Sequence, residues 1–187
     1  MVIAIIILIA LVLYVIMVYN KLKRTQQQIN EAWSNIDTHL KRRYDLIPNL
    51  VETVKGYAAH EAQTLEAVIA ARNSAMNNQS AGTPQTRSKD ENVLSGALKS
   101  VFALSESYPE LKANQNYLNL QKELVDTEDK IQAARSFYNT AVLSLNTQIN
   151  SFPSNTIANK FGIQKQEFFE LDEEEKKAVQ EAPKVSF

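Results

Sequence analysis

The chain has 187 residues, a net charge of −1 and no cysteine. With that balance nothing global points to nucleic acid, and the missing cysteines exclude disulfides, thiol catalysis and Cys-ligated zinc. With only four Gly and five Pro, the composition suits long helices rather than a strand-and-turn fold.

In chain order, Met1 to Tyr19 is uncharged and almost wholly apolar, and Lys21, Lys23 and Arg24 follow at once. A helix of that length covers about 28 Å, close to the ~30 Å hydrocarbon core of a bilayer. The segment is therefore expected to be a single transmembrane helix. A cleaved signal peptide would need a basic stretch before the apolar run and a small-x-small site after it. This run has neither. Lys21, Lys23 and Arg24 are expected to anchor the span at the headgroups. With Lys41, Arg42 and Arg43 further on, the positive-inside bias predicts the N-terminus outside and the rest of the chain in the cytoplasm.

Ile29, Trp33, Ile36, Leu40, Tyr44, Ile47, Val51, Val54 and Ala58 form one stripe with alternating steps of three and four. That spacing predicts an amphipathic, coiled-coil-like helix. The register continues through Leu65, Ile69, Arg72 and Met76, so one helix is expected over about 20–77. Pro48 falls inside it and is expected to kink rather than break it. Two helices meeting at Pro48 is the alternative, and Gly56 and His60 mark a second weak point. Residues from Asn77 to about Asp90 read as a polar loop.

A second helix is expected over 91–107, with Leu94, Leu98, Val101, Phe102 and Ser105 on one face. Tyr108-Pro109 interrupts it. A third helix is expected over 109–151, its stripe marked by Leu111, Leu118, Leu124, Val125, Ile131, Ala134, Tyr138, Val142, Leu145, Ile149 and Phe152. Phe152-Pro153 ends it, Ser154 caps a short helix over 155–161, and Gly162 closes that helix. Trp33, Phe102, Tyr117, Phe137, Tyr138 and Phe152 read as core. The segment 163–187 turns acidic and is expected to be a mobile tail. The fold class is thus all-α: a transmembrane helix (1–19) continuing into an elongated antiparallel bundle of three or four helices (20–162).

A polar cluster on the first helix and the polar residues in the stripe of the third are the candidate sites. Arg42, Arg43 and Asp45 make the densest cluster on the first helix, and Glu128 and Arg135 lie at seam positions on the third. Such groups specify helix register at a cost in stability. Arg43 is expected to pair with Glu128 across the bundle, or with Asp45 of a neighbouring molecule. Glu128 and Arg135 are expected to meet polar groups such as Asn35, Thr38 or Arg42. His39 and His60 have no metal-ligand spacing, and no serine sits in a nucleophile elbow. Neither a cofactor nor an enzymatic activity is expected.

The run from Leu40 to Ala58 (LKRRYDLIPNLVETVKGYA) closely resembles the LemA family. So do Tyr108-Pro109-Glu110-Leu111-Lys112-Ala113-Asn114 with Leu118 and Leu120-Gln121, the Glu128 to Val142 segment, and the Phe152-Pro153-Ser154-Asn155 turn. The resemblance implies a bacterial single-pass membrane protein with an α-helical bundle and no established enzymatic activity. It also implies a scaffold or accessory role in the cell envelope, and one relative serves in building magnetosome membranes. The expected function is a self-associating scaffold that organises or shapes the bacterial inner membrane. The alternative is an adaptor that holds an envelope protease or stress-response partner in a helical groove. The expected partners are the lipid bilayer and further copies of the chain. A single helix unbroken to Met76 would leave apolar stripe uncovered by the shorter second helix, and that motivates the self-association reading.

Overall fold

The computed structural model describes residues 1–79 and 82–169. Among these there is no β-strand; the elements are α1 (Val2–Lys55), α2 (Ala62–Asn78), α3 (Pro84–Leu104), a 3-10 turn (Ser105–Ser107), α4 (Pro109–Lys112), α5 (Gln115–Asn150) and α6 (Ser154–Lys160). The described residues divide into two compact units, Met1–Ile36 with Gln132–Phe168, and Asp37–Ile131 with Phe169.

In the first unit the N-terminal part of α1 is long and apolar enough to cross a membrane, and its apolar window is wholly unburied. Burial starts immediately after it. Leu22, Thr25, Ile29, Ala32 and Ile36 lie at steps of three and four, so they share one helical face. Against that face run Tyr138, Ala141, Val142, Leu145 and Ile149 of α5, all buried. The pairing is antiparallel. Trp33 meets Tyr138 with ring centroids 5.3 Å apart, Thr25 accepts from Gln148 Nε2 at 3.2 Å, and Tyr19 meets Phe161 at 4.6 Å. After α6, residues 163–168 continue without helix. Asn146 holds them by a two-bond clamp, its Nδ2 donating to the Gln166 carbonyl at 2.9 Å and its Oδ1 accepting from the Gln166 N–H at 3.0 Å. The Tyr138 hydroxyl donates to the Glu167 carbonyl at 2.9 Å. The segment from 163 to 168 is thus docked rather than a free tail; the acidic stretch expected after Glu170 lies outside the described residues.

In the second unit four helices alternate in direction. Arg87 of α3 pairs with Asp37 and Glu91 with Tyr44, so α3 runs parallel to α1. The α2–α3 hairpin is fastened near its turn, where Ser74 and Asn78 both donate to Asp90. Asn114, beside the start of α5, donates to the Tyr57 hydroxyl at 2.8 Å, while Arg42 pairs with Glu123 at 3.0 Å, so α5 opposes α1. Leu40, Ile47, Leu50, Val54, Leu65, Val68, Leu94, Leu98, Val101, Leu111, Leu124 and Ile131 fill the interior.

Three element boundaries differ from the sequence expectation. The helix expected over 20–77 breaks at residues 56–61, between α1 and α2, and Pro48 lies inside α1. Tyr57 and Ala58 both donate to the Val54 carbonyl, closing the end of α1. Because the break resets the helical phase, Val68 and Ala75 are buried while Ile69 and Met76 are exposed. Next, α3 begins at Pro84, where Thr83 caps it by accepting from the Thr86 N–H. Finally, the helix expected over 109–151 is two, divided at residues 113–114, where the Asn114 side chain accepts from the Tyr117 N–H at 3.0 Å.

Candidate functional site

The densest polar arrangement lies inside the second unit and is built on two consecutive residues of α1. Arg43 and Tyr44 are both buried, so their side chains leave the helix into the bundle. Both oxygens of Glu91 on α3 are engaged: Arg43 Nη2 donates to one and the Tyr44 hydroxyl to the other. Arg43 Nη1 donates to Glu128 of α5 and to Ser95 Oγ of α3, the latter at 3.1 Å. One planar guanidinium thereby ties three helices together, a task that suits a fork of fixed donors. Arg43 is 0% exposed and Glu91 1%. Burial raises the Tyr44 pKa, opposed by the nearby Arg43 and Arg87 cations. With both oxygens of Glu91 occupied and water excluded, the group is a clasp and offers that carboxylate no route to a substrate.

One turn along α1, Pro48 has no N–H to give the Tyr44 carbonyl, the acceptor four residues back. Arg72 of α2 supplies the missing donor, its Nε lying 2.7 Å from that oxygen. The proline thus opens a backbone acceptor, and α2 docks on it.

Of the other expected site residues, Arg42 is exposed and pairs with Glu123 rather than with Glu128. Asp45 is exposed and lines an open cleft of about 520 Å³ with Thr38, His39, Lys41, Arg42, Leu46 and Lys130. Arg135 is buried in the first unit. Lys21, Lys23 and Arg24 are exposed directly after the apolar segment, and the Lys23 ammonium lies 5.9 Å from the centre of the Tyr19 ring. Sequence reasoning missed Glu91, Ser95 and the bond from Arg72. Glu91 continues the buried series Leu94, Leu98, Val101 and Ser105 backwards by three, and that spacing is the signal that would have found it. Among the described residues no group of three or more His, Cys, Asp or Glu is placed to hold a metal ion.

A bundle of antiparallel helices clasped by buried polar groups, preceded by an apolar helix of membrane-spanning length, defines a membrane-associated all-α protein. The LemA family profile matches residues 32–187, and Protein LemA of Metamycoplasma hominis is 31% identical over 158 residues, covering 84% of this chain and 71% of that protein. The chain belongs to the LemA family. Two further relatives are similar along most of their length: Magnetosome protein MamQ 2 of Paramagnetospirillum magneticum (24% identical; 91% of this chain, 71% of the relative) and Magnetosome protein MamQ of Magnetospirillum gryphiswaldense (23%; 87% and 68%). None of these names denotes a reaction.

Proposed function

We propose that the chain is a membrane-anchored, self-associating helical scaffold that organises or shapes bacterial inner membrane, with its N-terminus outside and its bundle in the cytoplasm. The observation that carries this reading is the direct fusion of span to bundle. Leu22, three residues beyond Tyr19, is already fully buried, so no loop separates the apolar segment from packed protein. A force or orientation imposed on that unit by a neighbour passes straight to the span. Similarity to proteins named for the magnetosome agrees with a role at membranes. The long uncovered stripe that first suggested self-association is not its basis, because Ile36, Leu40, Ile47 and Val54 are buried. Exposed apolar residues remain for it, among them Leu118 and Val125 seven apart on α5, and Ile69 and Met76 seven apart on α2.

The test is the mass and shape of the full-length protein extracted in mild detergent, by light scattering and electron microscopy on one peak. A closed homo-oligomer with clustered membrane ends supports the scaffold. A strict monomer overturns it. Sidedness has its own test, since the chain has no native cysteine. A single cysteine at exposed Glu106 should resist a membrane-impermeant maleimide in intact cells and react after lysis; labelling in intact cells refutes the cytoplasmic assignment.

The second reading is the adaptor for an envelope protease or stress-response partner. The feature that favours it is the open cleft lined by Thr38, His39, Lys41, Leu46 and Lys130, a groove of the kind a partner helix can occupy. Recovery of one such partner at fixed stoichiometry from gently solubilised membranes would favour it over self-assembly.

A further inference from the structure

The corner between α5 and α6 lies beside the end of the apolar segment. Tyr19, the last residue of that segment, meets the Phe161 ring at 4.6 Å. Among residues 1–20 only Val15, Val18 and Tyr19 are half-buried, and their spacing puts them on one helical face. Cover on that face therefore extends one turn, about 6 Å, back into the apolar run. The corner carries two aromatic side chains that the protein leaves open: Phe152 is 85% exposed and Phe161 49%. Phe152 reads as core by its spacing, yet it lies outside the core.

Charge supplies an independent observation. None of the 21 Asp and Glu residues falls within 1–30 or 131–166, whereas Lys21, Lys23, Arg24, Lys160 and Lys165 do and are exposed. The membrane-proximal end of the first unit is thus purely cationic on its exposed face. Aromatic rings favour the headgroup level of a bilayer, and basic residues near an anionic surface are attracted to it.

We propose that the α5–α6 corner is a second membrane contact. Phe152 and Phe161 enter the interfacial layer beside the span, and Lys160, with Lys21, Lys23 and Arg24, meets the phosphates of anionic phospholipids. The first unit is then fixed to the bilayer at two points rather than hanging from one helix. This rests on the reading of residues 1–19 as a span.

The experiment uses the full-length chain in vesicles of phosphatidylcholine and phosphatidylglycerol, with a nitroxide quencher on the lipid. Single cysteines at positions 152, 161, 8 and 137 carry an environment-sensitive fluorophore; Phe137 is an exposed residue of α5 remote in sequence from the corner. The labels at 152 and 161 should be quenched several-fold more strongly than the label at 137, with blue-shifted emission. If Leu8 is quenched and 152 matches 137, the corner contact is overturned while the span stands. If Leu8 is not quenched either, the span fails and the corner with it. A blue shift at 152 without lipid quenching means a protein surface, such as a second copy, covers the corner, and also overturns the proposal.

Discussion

Arg72 Nε donates to the Tyr44 carbonyl oxygen at 2.7 Å, the acceptor that Pro48 leaves without an intrahelical donor. A proline inside a helix costs about 3 kcal/mol relative to alanine. Here the vacated acceptor becomes the point at which α2 attaches. Pro48→Ala would return an N–H to that oxygen and make Arg72 redundant. Arg72→Ala should therefore destabilise the native chain by roughly 1–2 kcal/mol, as for a polar group left unsatisfied, and considerably less in the Pro48→Ala background. Denaturant unfolding of the double-mutant cycle checks this; strict additivity would show that the two residues do not act on one acceptor.

The three-helix clasp makes a second prediction. Arg43→Ala leaves Glu91 buried without its cation and should cost about 3–5 kcal/mol. Replacing both, as Arg43→Met with Glu91→Leu in a Tyr44→Phe background so that no buried phenol loses its acceptor, should recover most of that loss, because a buried pair replaced by apolar groups of similar volume is often neutral or better. Thermal unfolding of the single and double variants decides it. A double variant as unstable as Arg43→Ala would mean that the clasp contributes net stability beyond its own satisfaction.

Alkaline stability follows from the buried phenols. Burial raises the pKa of Tyr44, against the Arg43 and Arg87 cations, and burial raises that of Tyr117. A phenol that keeps its proton longer when folded adds stability that is complete below the ordinary value of about 10. That stability is lost as pH rises through the higher folded value. Unfolding free energy should therefore fall above pH ~10, and Tyr44→Phe should flatten the fall. An unchanged slope in that variant would place the titration elsewhere.

The Asn146 clamp is testable in the first unit. Asn146→Ala removes both bonds to Gln166 and should release residues 163–168 while leaving α5 intact. Amide exchange at Gln166 should accelerate by about tenfold or more, the equivalent of a hydrogen bond worth roughly 1.5 kcal/mol. Unchanged exchange would show that buried Ile163 alone holds the segment.

The helical class and the stripe from Ile29 to Val54 were legible because buried positions repeat every three or four residues, and one face had to find partners. The span was legible because nothing polar interrupts it. The course after Lys55 was not. Ala58 fits a helical register by spacing alone, so the turn at 56–61, where Gly56 and His60 mark only a weak point, reads as continuation, and the phase of α2 is misjudged at Ile69 and Met76. Phe137 and Phe152 sat at plausible core spacing yet are exposed, because spacing does not say where a partner helix ends. Arg43 stands out in the polar cluster of the first helix and Glu128 as a charge in an apolar stripe, and the structure joins them. Glu91 did not stand out, since the residues before it read as loop, and the start of α3 at Pro84 depends on a cap that only the folded chain displays.

The absence of any spacer between Tyr19 and Leu22 has an angular consequence. Successive helical residues turn by about 100°, so the azimuth at which the first unit faces along the membrane plane is written in residue count. Inserting one residue at position 20 would swing that unit a little more than a quarter of a revolution around the span and lift it ~1.5 Å. Its composition, charge and packing would be unchanged. Neighbouring molecules that meet side by side would then meet on different flanks. Length there acts as a compass setting.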